Sequence, residues 1–246
     1  MKKIRVFWRL VKFFGITTFR VSGIIILEKI FKPDRKRRDR WKMAWAKAIL
    51  HAMGIIVEVK GSLPDKGVLI TPNHRSYMDI PVLISLSPVS HLGKAEVQKW
   101  PLIGAGATAV DTLFVKRESA SSRNQARILI GNMIRSGHPV CVHPEGTTVR
   151  APDLLEFKGG AFFACAESGL PVVPVAIEYL DPNDAWVGDD TFLPHFLKAF
   201  GKKRTYIYIS AGPEFTGTTA EELRVKSWEW VNAELIRIRK EKGIIC

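Results

Sequence analysis

From Ile4 to Phe31 the chain is dominated by apolar side chains, with Ile24-Ile25-Ile26-Leu27 as the densest run. Arg9, Lys12 and Arg20 interrupt it, so no stretch reaches the roughly 18 apolar residues of a plain transmembrane helix. Wound at about 100° per residue, Lys2, Arg5, Arg9, Lys12 and Arg20 gather within an arc of roughly 80°, with Lys3 off it. A narrow basic stripe on an apolar helix bearing Trp and Phe predicts a helix lying in a membrane interface, its cations turned toward head groups and solvent, with a tilted or re-entrant spanning helix and a helix packed on the domain as the alternatives. Lys32-Pro33-Asp34-Arg35-Lys36-Arg37-Arg38 predicts a helix break and a polybasic turn. Trp41, Trp45, Ala48 and Ile49 then recur at helical spacing, so a second amphipathic helix should end near Gly54.

From Ile55 the period changes to short β-rich runs alternating with helical ones. Strands are expected at Ile55–Val59, Val68–Thr71, Thr112–Val115, Val140–His143, Val172–Tyr179 and Tyr206–Ser210. Helices are expected near 78–86, 95–107, 119–136, 158–168 and 219–241. Ser119 or Ser121 would cap the third, which stops at Gly137, and Thr219 with Glu222 forms a capping box for the last. The alternation argues for an α/β fold: a central mixed sheet flanked by helices, preceded by a two-helix membrane-associating motif. The expected division is a basic helical anchoring segment, 1–54, and an α/β domain, 55–246.

Charge sharpens this division. Of the net +13, residues 1–42 supply fourteen lysines and arginines against Glu28, Asp34 and Asp39, and the rest of the chain is nearly balanced. Such a cluster beside an apolar helix attracts anionic head groups, by on the order of 1 kcal/mol per cation. Nucleic acid is not the expected partner, because the aromatics around the run are helix-borne anchors rather than interleaved stacking platforms. Cys141, Cys165 and Cys246 show neither metal spacing nor an even-numbered framework, so they read as two core thiols and a terminal one. No metal or bound cofactor is expected.

The candidate chemistry lies in Asn73-His74-Arg75-Ser76-Tyr77-Met78-Asp79. An imidazole takes a proton near neutral pH. A carboxylate on its other nitrogen fixes the tautomer and stabilises the imidazolium. The strand before Pro72-Asn73 and the helix through Met78 and Ile80, capped by Ser76 or Asn73, would put the pair where a strand gives way to a helix. By itself the spacing is more often that of a helix cap beside a surface histidine. Among the other histidines, His143 precedes Pro144-Glu145 and could line the site, with no adjacent acid to orient it.

Four blocks occur in order: NHRSYMD; KAEVQKWPLIG (Lys94–Gly104) with LFVKR (Leu113–Arg117); HPEGTT (His143–Thr148); and LPVVPVAI (Leu170–Ile177). Together they resemble the glycerolipid acyltransferases, the family of 1-acylglycerol-3-phosphate acyltransferase, over roughly residues 55 to 210. The resemblance implies His74 as general base and Asp79 as its orienter, with direct attack on a thioester and no acyl-enzyme. It implies acyl carrier protein or coenzyme A as donor carrier, a lysolipid acceptor, and a membrane surface with anionic lipid. That surface would be the cytoplasmic face of a bacterial inner membrane. Lys94, Lys116 and Arg117 become candidates for an acceptor phosphate, and Glu145, Gly146 and Thr147 form a turn near the glycerol.

The chain departs from the family pattern at two places. Thr148 stands where the family's phosphate-binding arginine is usual, with Arg150 two further on, and Asp111 stands where a glycine is common. Lysophosphatidate is the expected acceptor. Lyso-ornithine lipid and other lysophospholipids are the rivals, since Thr-Thr is familiar from their acyltransferases. Another class of reading is a non-enzymatic peripheral protein that binds anionic lipid through residues 1–54. Phe192, Phe196 and Phe200 recur at four-residue spacing beside Leu193 and Leu197. That stripe would face the membrane or the acyl channel, or else pack on the core.

Overall fold

The computed structural model describes residues 2–31, 33–100 and 103–245. Two helices come first, α1 (Lys2–Phe31) and α2 (Arg35–Met53). Asp34 caps α2, its Oδ1 accepting from the Arg37 amide at 2.8 Å. The expected polybasic turn is therefore largely helix: Arg35 to Arg38 form the first turn of α2, and Lys32 lies outside the described residues. Asp39 offsets part of this charge at the positive end of the helix, pairing with Arg35 at 3.3 Å and Lys42 at 3.4 Å. Gly54 ends α2 in the left-handed conformation, at φ 71°.

The sheet has seven strands: β1 (Ile55–Lys60), β2 (Leu69–Pro72), β3 (Ser90–Lys94), β4 (Leu113–Val115), β5 (Val140–Cys141), β6 (Val172–Tyr179) and β7 (Thr205–Ala211). Their order is β1-β7-β6-β2-β5-β3-β4. Neighbours run parallel except the antiparallel pair β6–β7, so the sheet is mixed. The remaining helices are α3 (Asp79–Leu86), α4 (Ile103–Ala109), α5 (Ala120–Arg135), α6 (Gly160–Ala166), α7 (Phe192–Ala199) and α8 (Ala220–Lys242). Successive strand residues alternate between two cores, as a period of two requires. Ile70, Cys141 and Val173 pack with α2, α3 and α7. Leu69, Val140 and Val172 pack with α5, α6 and α8. Ala46, Ile49 and Met53 of α2 belong to the first core, so residues 1–54 and 55–246 share one apolar interior.

Two expectations in the 90–110 region change. Ser90–Lys94 is a strand despite its polar sequence, because β5 and β4 supply ladder partners on either side. The helix expected over 95–107 is a 3₁₀ turn at Ala95–Lys99 and then α4. Trp100, the residue before Pro101, is extended at ψ 127°, as the residue before a proline tends to be. Asp111 adopts φ 59°, which explains why glycine suits the position. Its carboxylate accepts from Lys42 of α2 at 3.4 Å.

The three arginines of the basic stripe of α1 face the protein rather than head groups and solvent, while Lys12 stays exposed. Arg9 is buried and donates to three carbonyls: Phe200 and Lys202 at 2.7 Å and Lys203 at 2.9 Å. Arg5 donates to the Gly201 carbonyl at 3.0 Å, and Arg20 lies over the Trp41 ring at 4.8 Å. The carbonyls just beyond the C-terminus of α7 do what solvent was expected to do, and a helix C-terminus favours cations. Ile4, Phe7, Trp8, Val11, Phe14, Phe19, Ile25 and Ile26 are consequently left exposed along the other side. By length and composition, Lys3–Leu27 is apolar enough to cross a membrane.

The aromatic stripe of α7 also turns inward. Phe196 is fully buried, its ring 6.0 Å from that of Phe13 and 4.8 Å from that of Phe200. Leu193 and Leu197, on the opposite side, are exposed.

Candidate active site

β2, β3, β4, β5 and β6 run the same way, so their carboxyl ends share one edge of the sheet. His74 follows β2, Lys94 ends β3, Lys116 and Arg117 follow β4, and His143 follows β5. Ligands of open α/β sheets bind outside such an edge.

The loop from Asn73 to Met78 is held by side chains, not by a helix cap. The N-cap of α3 is Met78, with no side-chain bond, so neither Ser76 nor Asn73 plays that part. Asn73 instead prolongs the pairing of β2 with β6 through its side chain: its amide donates to the Ile177 carbonyl at 2.9 Å and its Oδ1 accepts from the Ile177 amide at 2.7 Å. Asp79 Oδ2 accepts from three groups: His74 Nδ1 at 2.8 Å, Arg75 N at 2.7 Å and Ser76 N at 3.0 Å. Its Oδ1 accepts from the Tyr179 hydroxyl at 2.8 Å. A fully buried carboxylate with four donors is fixed in place and can hold the imidazole in one tautomer. Nδ1 of His74 carries its proton toward Asp79, which leaves Nε2 as the basic nitrogen.

Glu145 braces the same loop. Both its oxygens bond backbone amides, Oε2 to His74 at 2.5 Å and Oε1 to Leu155 at 3.0 Å, so the carboxylate faces scaffold rather than an acceptor. Burial raises its pKa, and those two amide bonds pull the other way. Gly146 sits at φ 76°, and a Cβ built there would come within 2.7 Å of Lys158 Nζ, so the turn requires glycine. Arg117 donates to the Gly146 carbonyl from the other strand end. Thr147, Lys94 and Lys116 are exposed, and Arg150 is half-buried with its Nε unpartnered among the described residues. The structure thus joins His74, Asp79, Glu145, Gly146 and Arg117. Lys94 and Lys116 stay on the rim of the same edge.

Further residues belong to the site. Arg75, fully buried, donates from Nε and Nη2 to both oxygens of Glu178, at 3.1 and 3.2 Å. Its Nη1 donates to the carbonyls of Val149, at 3.1 Å, and Asp153, at 2.7 Å. The ring of His143 stacks on that of His74, with centroids 3.9 Å apart and planes 22° apart. Lys158, Tyr179 and Asn73 complete the set. An arginine inside an otherwise buried motif was a readable signal for Arg75; nothing local marks Tyr179 or Lys158.

Comparison with known proteins adds the following. The family model described as Acyltransferase matches residues 54–178. The lyso-ornithine lipid O-acyltransferase of Pseudomonas aeruginosa is 35% identical over 184 residues, covering 72% of this chain and 69% of that protein. The 1-acyl-sn-glycerol-3-phosphate acyltransferase of Neisseria gonorrhoeae is 31% identical over 148 residues, covering 59% of this chain and 58% of that protein. The crystal structure of the 1-acyl-sn-glycerophosphate acyltransferase from Thermotoga maritima superposes with a TM-score of 0.70 over 97% of this chain and 98% of that one. At 22% identity it speaks for the fold.

Proposed function

The chain belongs to the acyltransferase family, and from that premise we propose that it moves a fatty acyl group from a thioester to a free lysolipid hydroxyl, with His74 as base. The His74–Asp79 pair at the carboxyl edge of the sheet carries the reading, because docking to lipid alone would need no oriented base. The reading as a non-enzymatic lipid-binding protein gives way to it.

The geometry supports the following steps. An alcohol's pKa lies many units above that of histidine, so its proton must leave as the new bond forms. Nε2 of His74 takes that proton while the oxygen attacks the thioester carbonyl, and Asp79 stabilises the imidazolium. The tetrahedral centre collapses, the C–S bond breaks, and the thiolate leaves with the proton that His74 returns. Acyl carrier protein or coenzyme A carries the departing sulfur.

We take the acceptor to be lyso-ornithine lipid. Thr148 supports this, since a guanidinium at that position suits a phosphate and lyso-ornithine lipid has a carboxylate and an amine instead. The second reading is lysophosphatidate, favoured by Arg117 and Lys158 on either side of Gly146. Purified protein given both acceptors, with product masses measured, separates them. Lyso-ornithine lipid should be acylated faster, and Arg117→Ala should leave lysophosphatidate turnover little changed. Faster acylation of lysophosphatidate, with its KM raised sharply by Arg117→Ala, reverses the order. Acylation of neither overturns both.

The membrane partner is read from the exposed apolar side of α1, which would lie in the cytoplasmic surface of a bacterial inner membrane. Phe7→Glu with Trp8→Glu should weaken binding to vesicles of anionic phospholipid by roughly tenfold or more per residue, because each buries apolar area worth about 1.5–3 kcal/mol. The melting temperature should hold. Vesicle binding at the original level would mean that another surface meets the lipid.

A further inference from the structure

We propose that His91, Cys141 and His143 form a binding site for a zinc ion beneath the catalytic dyad. His91 and Cys141 are register partners on the adjacent parallel strands β3 and β5, so both project to the same face. His143 lies two positions beyond Cys141 and returns to that face. One ligand atom from each residue lies within 4.8 Å of the other two. Fifty residues separate His91 from Cys141, so no spacing in the sequence shows the cluster.

The hydrogen bonding favours a ligand over plain packing. Nε2 of His143 is buried with no hydrogen-bond partner among the described residues, and neither ring nitrogen of buried His91 makes a well-formed bond, the Ile80 backbone being the nearest to one. Buried polar atoms are nearly always satisfied, so two imidazoles left this way side by side need a reason. Nδ1 of His143 faces the Asn73 carbonyl at 3.1 Å and must donate to it, which leaves the lone pair on Nε2. A ligating histidine commonly uses its second nitrogen in this way.

Two imidazoles and a thiolate make a borderline-soft set suited to zinc. The Cys141 thiol, raised by burial and by Asp79, gives up its proton to solvent as the Zn–S bond forms. The second candidate group, His74, Asp79 and His143, is already engaged in the His74–Asp79 hydrogen bond. An ion in the proposed site would tie β3 to β5 and fix the ring on which His74 stacks.

The test uses the full chain in detergent, with Cys165 and Cys246 replaced by alanine so that Cys141 is the sole thiol. Cobalt, as the spectroscopic probe, should give a thiolate-to-metal absorption band that zinc abolishes at one equivalent. Cys141→Ala should eliminate the band, and His91→Ala should weaken zinc binding by at least ~10-fold, since even outer-shell changes cost about 10–100-fold. Zinc should raise the melting temperature of the parent and not of either variant. No band, or unchanged binding in His91→Ala, overturns the site. Binding that survives both variants but is lost in Asp79→Asn assigns the ion to the dyad and also overturns it.

Discussion

Replacing His74 with alanine is expected to lower turnover by about 10²–10⁴-fold, the usual contribution of a positioned base. Lipid binding should not change, because the exposed side of α1 is remote in sequence from the dyad and in different contacts. Asp79→Asn should approach the same loss for a different reason. The amide can accept from His74 Nδ1 through one atom only. It must also meet Arg75 N, Ser76 N and the Tyr179 hydroxyl, all of which now donate to oxygens. An NH₂ turned toward either group of donors leaves a buried clash, so stability should fall as well, by about 1–3 kcal/mol. Steady-state rates and thermal unfolding on the same preparations check both. A His74→Ala enzyme within tenfold of the original rate would remove the histidine from the chemistry.

Much of this dyad was legible because it is local: five residues and one turn separate base from carboxylate, and a strand before and a helix after fix the turn. β6 was legible at its full length because it is buried along both faces and reads as one apolar run, VVPVAIEY. β3 was not, since Ser90, His91, Gly93 and Lys94 have no strand preference of their own and owe their conformation to partners on both sides. The basic stripe of α1 shows what periodicity leaves open. It establishes that a helix has two unlike sides, but which side meets the protein depends on groups 191 to 194 residues away, the carbonyls of Phe200, Lys202 and Lys203. The same holds at the site, where Tyr179 reaches Asp79 across 100 residues and Lys158 and Arg117 meet only at Gly146.

The second large effect is expected at Glu178, away from the reacting atoms. Its carboxylate accepts both forks of Arg75 and, at 2.7 Å, Nε of Arg239 from α8, so one buried anion holds two cations. Glu178→Gln leaves Arg75 buried and uncompensated, with Arg239 beside it, and should cost about 3–5 kcal/mol of stability. Activity should fall too, because Arg75 Nη1 anchors the Val149 and Asp153 carbonyls and the Val149 amide donates to the His74 carbonyl at 3.0 Å. The two losses can be separated. Arg75→Met with Glu178→Leu removes both buried charges, while Arg239, partly exposed, can turn to solvent. Replacing a buried pair by apolar groups of similar volume is often neutral, so the melting temperature should return close to that of the parent. The tether on residues 149–153 is still missing, so kcat should stay low. Recovery of both stability and kcat in the double variant would show that the loop is held without Arg75, and that the ion pair serves the fold alone.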